Sequence, residues 1–177
     1  MRRQPVLVNA ALFQAGWFSC ALGGDSYWLL LALAIVLLHL VWVGSWAREG
    51  KLLIWVTALG TLLDSSLTML DVFQFPLGGP LIPLWLMLMW ALLAITLNHC
   101  LAWSAMPWWR ASLFGAIGGP LSYFAGARLA GVQLPLGLWP SLILLGLIWA
   151  CVFPALHWLA RYLRNTPSAQ SFDRHHG

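Results

Sequence analysis

The feature that most constrains this chain is a series of six apolar stretches, each long enough to cross a lipid bilayer as a helix. A helix rises 1.5 Å per residue, so about 20 apolar residues cross the ~30 Å hydrocarbon core. Only short polar breaks separate the stretches, and consecutive helices are therefore expected to be antiparallel neighbours. The stretches cover residues 6–22, 27–47, 52–73, 84–106, 111–132 and 136–159.

The composition excludes an ordinary water-soluble fold. Hydrophobic residues make up 61% of the chain and charged residues only 8%, whereas soluble domains carry about 25% charged residues. Such a chain cannot cover a water-facing surface. The sequence predicts an all-α fold, with a bundle of six transmembrane helices over residues 1–164. The remaining residues, 165–177, are predicted to form a disordered polar tail in the cytoplasm.

The distribution of positive charge predicts the orientation of this bundle. Eight of the nine Lys and Arg residues fall on the side that holds the N-terminus, and only Arg128 falls on the other side. Cytoplasmic loops carry the excess of positive charge, so both termini are predicted to be cytoplasmic. The first stretch is interpreted as a retained helix and not as a cleaved signal peptide, because Asn9 and Gln14 interrupt it.

The basic residues are too sparse to form a nucleic-acid-binding patch. The expected partners are membrane lipids, with a second copy of the chain or other membrane proteins as further alternatives. The expected location is the plasma membrane of a bacterium, crossed several times.

Polar residues within the apolar stretches are the candidates for function. In the third stretch, Thr57, Thr61, Asp64, Thr68 and Asp71 are spaced so that all five share one helix face. A carboxylate near the bilayer centre costs about 2.5–3.5 kcal/mol on insertion scales. Asp64 is therefore the predicted catalytic group, acting as a proton acceptor or donor. The alternative is a helix–helix hydrogen-bonding seam.

Four more polar residues complete the predicted site. Gln14, Asn98, His99 and Tyr123 are predicted to bind the ligand around Asp64. His39 lies at a depth similar to that of His99, so a haem or metal ligand pair is one interpretation. The favoured interpretation is a pair of neutral, hydrogen-bonded histidines with no metal and no cofactor.

A possible ion pair lies nearer the outer end of the bundle. Asp71 and Arg128 fall at similar outer depths and are predicted to pair, although each side chain could instead reach the headgroups separately. In the fifth stretch, Gly115 and Gly119 form a small-x-x-x-small pattern that favours close helix packing, and Pro120 predicts a bend.

Several short motifs together resemble a known family. The chain is similar to a group of small bacterial inner-membrane proteins known only as a domain of unknown function. The resemblance extends to about Arg164; it implies an inner-membrane location and supplies no catalytic residue. It rests on Asn9, Phe13-Gln14-x-Gly16-Trp17-Phe18, Asp64, Asp71, Pro83-x-Trp85, Trp90 and Gly119-Pro120-x-Ser122-Tyr123-x-x-Gly126.

Three functions are compatible with these residues. The favoured hypothesis is a membrane protein that binds or modifies a lipid-like molecule at an intramembrane polar site, for which a lateral opening would be the sign. The second is a small proton-coupled transporter with Asp64 as the titrating group. The third is a non-enzymatic partner that assembles other membrane proteins. Whether the protein is an enzyme stays open at this stage.

Overall fold

The computed structural model describes residues 3–76 and 78–165. Within these residues the fold consists of six α-helices and one short 3-10 helix, with no β-strand. The predicted tail lies outside the described residues except for Asn165. The helices are α1 Arg3–Gly23, α2 Trp28–Trp42, α3 Trp46–Met69, α4 Leu84–Leu97, α5 Trp108–Ala130 and α6 Leu138–Arg164, with the 3-10 helix at Ala102–Ala105.

The predicted all-α class is confirmed. Three helices, α1, α3 and α6, are long and apolar enough to cross a membrane. Helices α2 and α4 are equally apolar but shorter, at 15 and 14 residues. Large hydrophobic side chains are exposed along α1, α2, α3, α5 and α6, as expected for a surface that meets lipid rather than water. Helix α4 is mostly buried and exposes only Leu84 in this way.

Several helix boundaries differ from the prediction, and two of these differences have a clear physical reason. The fourth helix was predicted over residues 84–106 but ends at Leu97. There the chain turns, and the Thr96 carbonyl oxygen accepts two later backbone N–H groups. The side chain of Asn9, on α1, accepts the backbone N–H group of Cys100 over 3.1 Å. A distant helix thus satisfies the polar groups that the turn exposes.

Helix α3 also begins earlier than predicted. It begins at Trp46 instead of residue 52, so that Glu49 lies in its first turn. A carboxylate is favourable there because the helix N-terminus carries a partial positive charge. The polar break at residues 48–51, predicted to be a loop, is therefore the helical start of α3.

The N-terminus of α4 is capped from another part of the chain. The residue before it is Pro83, whose side chain makes no cap hydrogen bond. Asp25, in the turn between α1 and α2, instead accepts the backbone N–H groups of Leu84 and Trp85 over 3.2 and 2.8 Å. This contact places the α1–α2 turn and the start of α4 at the same end of the bundle.

Helix packing leaves α1 and α5 as neighbours that touch only locally. Helix α1 packs on α2 and α4, α3 packs on α4, and α5 packs closely on α6. Gly115 and Gly119 permit the α5–α6 approach, because a Cβ at either position would overlap Trp149 of α6. Helices α1 and α5 are joined by a hydrogen bond from Trp17 Nε1 to Ser122 Oγ of 3.0 Å.

Candidate functional site

A cavity of about 590 Å³ lies between α1 and α5, with α4 and α6 behind it. We call it the lateral cavity. No charged residue lines it, and its few polar side chains include Gln14 and Ser122. Its aromatic lining consists of Phe13, Trp17, Phe18, Phe73, Phe75, Trp85, Trp90, Phe114, Tyr123, Trp149 and Phe153.

The lateral cavity reaches the outer surface of the helix bundle. Several of its lining residues belong to the exposed surface, among them Phe18 at 45% and Leu121 at 59% exposure. Gly118 is also exposed, and a Cβ at this position would meet nothing within 4 Å. The mouth therefore opens sideways from the bundle, through the apolar surface between α1 and α5.

Asp64 is fully buried behind the aromatic wall of this cavity. Its Oδ1 accepts a hydrogen bond from the Tyr123 hydroxyl, and its Oδ2 accepts one from Trp90 Nε1, both 2.7 Å long. One carboxylate thus ties α3 to α4 and to α5. Two donors at charge-assisted hydrogen-bond distances supply partners that lipid could not offer.

The carboxylate is separated from the cavity by the two residues that bind it. Trp90 and Tyr123 line the lateral cavity, whereas Asp64 does not. A molecule in the cavity would therefore contact the two rings first. Tyr123 is held flat against Phe73, with ring centres 5.3 Å apart, and Trp90 stacks on Trp149, with ring centres 5.2 Å apart.

The predicted site residues fall into two groups. Gln14 and Tyr123 line the lateral cavity, and Tyr123 also contacts Asp64. Asn98 and His99 do not line it; they follow the end of α4. The His99 imidazole instead belongs to a second polar cluster.

This second cluster, which we call the Glu49 cluster, joins α1, α2, α3 and the turn after α4. Glu49 accepts contacts from both histidines: Oε2 lies 2.9 Å from His39 Nε2, and Oε1 lies 2.6 Å from His99 Nε2. The predicted proximity of His39 and His99 is thus present, with ring centres 4.7 Å apart. The residue of α1 that joins this cluster is Asn9, which precedes the predicted Gln14 by five residues.

Asn9 determines which nitrogen of His39 carries the proton. Its Nδ2 donates to the Ile95 carbonyl over 3.0 Å, and its Oδ1 accepts the Cys100 N–H. These two backbone contacts fix the orientation of the amide. The second hydrogen on Asn9 Nδ2 then points to His39 Nδ1, 3.1 Å away, which must accept it. Neutral His39 therefore carries its proton on Nε2 and donates it to Glu49.

The same orientation bears on whether the Glu49 cluster could hold a metal ion. One ligand atom each from His39, Glu49 and His99 lie within 4.8 Å of one another, and such a set can coordinate zinc. A metal on His39 Nε2 would require the proton on Nδ1, where it would face the Asn9 N–H group. Hence these residues fit a hydrogen-bonded triad better than a metal site.

The predicted outer ion pair is not formed between the two residues in this structure. Among residues 3–76 and 78–165, the side chains of Asp71 and Arg128 are not within ion-pair distance. The Arg128 guanidinium lies over the Phe124 ring, 5.4 Å from its centre, at the exposed end of α5. This geometry gives the charge an aromatic neighbour on its own helix.

Sequence reasoning missed Glu49, Asn9 and Trp90 as members of the polar clusters. Glu49 lay in what was predicted to be a loop, so no helix face could be assigned to it. Trp90 was noted only as part of the family resemblance, because an indole N–H gives no pattern in sequence. The usable signal was the buried carboxylate itself, since an acid at that depth requires donors from other helices.

We expect Asp64→Ala to destabilise the protein strongly. The change leaves the Trp90 and Tyr123 donors buried without an acceptor, and each unsatisfied donor costs about 1–3 kcal/mol. Asp64→Asn should be milder, because its oxygen accepts from Trp90 while its NH₂ group donates to the Tyr123 oxygen. Thermal unfolding in detergent, followed by tryptophan fluorescence, measures both.

The matched control is Asp71→Asn, which removes a carboxylate that is exposed. It should change stability by no more than about 0.5 kcal/mol. Equal unfolding temperatures for Asp64→Ala and the wild type would contradict the assignment of the carboxylate as a link between three helices.

Residues 6–155 match a family described as Protein of unknown function (DUF2878). No curated protein and no solved structure matches the chain. The match covers most of the chain and confirms the resemblance, inferred from the short motifs, to a domain of unknown function. The chain belongs to the DUF2878 family.

Proposed function

We propose that this protein crosses the membrane six times and binds a lipid-like molecule in the lateral cavity. The observation that carries the proposal is the cavity itself: it is apolar, aromatic-lined and open through the side of the bundle. Asp64 lies behind its wall and acts through Tyr123 and Trp90, which makes it a positioning residue for the binding site.

The apolar helices support the membrane topology in this proposal. Besides the three long helices, α2 and α4 are shorter apolar helices, and α5 has 23 residues. With both termini cytoplasmic in a bacterial inner membrane, Arg48, Lys51 and Arg110 fall on the cytoplasmic side. The Glu49 cluster then lies near that side, where its partly exposed groups meet headgroups and water.

Reporter fusions after Arg164 test this topology. A green fluorescent protein fusion should fluoresce and an alkaline phosphatase fusion should be inactive, because the C-terminus is proposed to be cytoplasmic. The same pair of reporters fused after Asp25 should give the opposite result. Active phosphatase at the C-terminus would contradict the proposed cytoplasmic C-terminus.

The size and lining of the cavity support a lipid-like ligand. A volume of about 590 Å³ lies within the 300–1,000 Å³ typical of small-molecule sites. Burial of apolar surface against its rings supplies the binding energy, and the sideways mouth admits a molecule directly from the hydrocarbon phase. An assembly partner would need no such space, and a carrier would need a polar route, so the apolar cavity favours lipid binding.

A substitution at Gly118 can block the mouth of the cavity. A Cβ at this position meets no other atom within 4 Å, and Gly118 is exposed where it lines the cavity, so we expect Gly118→Phe to place a ring in the mouth without displacing a helix. We expect the amount of co-purified lipid to fall about tenfold, as for any steric block worth at least 1.4 kcal/mol. Lipid extraction and mass spectrometry of the purified protein give the measurement.

The matched control is Ile117→Phe. Ile117 is the adjacent residue, is 55% exposed and does not line the cavity. This variant adds a ring to the outer surface and should retain the lipid. Equal lipid content in Gly118→Phe and Ile117→Phe would contradict the proposal that the cavity is the binding site.

A further inference from the structure

We propose that the ligand is an uncharged lipid whose polar end carries a carbonyl oxygen, which accepts a hydrogen bond from Trp149 Nε1. This inference rests on the proposed lipid binding and names the chemistry of the ligand. The juxtaposition that carries it is a buried, unpaired donor on the wall of an otherwise apolar cavity.

The buried N–H group of Trp149 forms no hydrogen bond of good geometry within the described residues, although the Tyr123 hydroxyl lies nearby. The Trp149 side chain lines the lateral cavity and is only 8% exposed. Nε1 is one of three buried side-chain polar atoms without a hydrogen-bond partner in the described residues; the other two belong to Thr57 and Ser141, which do not line the cavity. Buried indole N–H groups usually have a partner.

The Trp149 ring is held in this position by α4 and α5. It stacks on Trp90 with planes 14° apart, and Gly119 leaves room for it against α5. Trp90 Nε1 and the Tyr123 hydroxyl both donate to Asp64. The Tyr123 oxygen is the nearby acceptor, but the Trp149 N–H forms no hydrogen bond of good geometry with it, so this hydrogen stays available to a molecule in the cavity.

A second unpaired polar group lines the same cavity. Among the described residues, the Gln14 amide makes no hydrogen bond, although it lines the mouth of the cavity. An unpaired amide is costly in a hydrocarbon environment. The Gln14 NH₂ group lies on α1 and the Trp149 N–H group on α6, so two walls of the cavity offer a donor to a ligand oxygen.

The charge of the site restricts the ligand further. No cationic side chain lines the cavity, and Asp64 lies directly behind Tyr123 and Trp90. An anionic headgroup would therefore lack a counter-charge and be repelled. An ammonium group offers only donors and would leave the Trp149 N–H unpaired. A neutral carbonyl satisfies the donor without introducing charge.

Two kinds of membrane lipid carry this chemistry: quinones and neutral acylglycerols. Binding to the purified full chain can be measured by native mass spectrometry with a decyl-benzoquinone and with dioctanoylglycerol. Each is paired with a probe lacking the carbonyl groups, decylbenzene or the dioctyl glycerol ether. We expect at least one carbonyl probe to bind the wild type about 5- to 10-fold more tightly than its paired probe.

Trp149→Phe should abolish this preference, so that each carbonyl probe and its paired probe bind the variant with equal affinity. Trp158→Phe is the matched control, because it makes the same change at a residue that is 59% exposed and outside the cavity. The carbonyl probe that binds more tightly identifies the lipid class. Because the wild-type preference is measured without any variant, misfolding of Trp149→Phe does not prevent the test.

Equal binding of carbonyl and paired probes to the wild type would overturn this inference. So would a preference that survives in Trp149→Phe. In either case, loss of all probes in Gly118→Phe but not in Ile117→Phe would leave the lipid-binding proposal standing. If no probe binds the wild type, the assignment of a carbonyl ligand is contradicted. If Gly118→Phe and Ile117→Phe also retain equal amounts of co-purified lipid, the proposal that the cavity binds lipid is contradicted as well.

Discussion

The carboxylate of Asp64 is the constraint on which the cavity side of the structure depends. An acid buried among apolar helices must find donors within the protein, and here each oxygen has one. Those donors are Trp90 on α4 and Tyr123 on α5, so the requirement of one side chain fixes three helices. The rings that satisfy Asp64 also form the wall of the lateral cavity. The cost of a buried charge is thus offset by contacts that shape a binding site.

The Glu49 cluster, at the other end of the bundle, also pairs a carboxylate within the protein, but its partners are histidines. Asn9 uses both ends of its amide on the backbone and so selects the protonated nitrogen of His39. His39 and His99 then give Glu49 two N–H partners. Four parts of the chain meet here through Asn9, His39, Glu49 and His99. The two clusters together keep most intramembrane polar groups paired, whereas, in the part of the chain that the structure describes, Trp149 and Gln14 are unpaired polar groups that line the cavity.

The sequence predicted the helical class and singled out Asp64, since both follow from the cost of placing polar groups in lipid; the catalytic role of Asp64 stays a prediction. Gln14 and Tyr123 were predicted to bind a ligand around Asp64, and both line the lateral cavity. Asn98 and His99 do not line it, because the fourth helix ends at Leu97 and its turn depends on Asn9, a contact between distant residues. Helix pairing, and hence the space between α1 and α5, depends on contacts such as Trp17–Ser122 that no local pattern encodes.

The central claim is that the lateral cavity holds a neutral lipid in the membrane. A photoreactive diazirinyl-phenylalanine at Phe153, which lines the cavity, tests it most directly in living cells; the same residue at Ile117 samples the surrounding bilayer. The account predicts that irradiation at Phe153 yields a single class of uncharged lipid adduct, distinct from the mixed phospholipids captured at Ile117. Capture of another protein at Phe153, or of the same mixture as at Ile117, would contradict it.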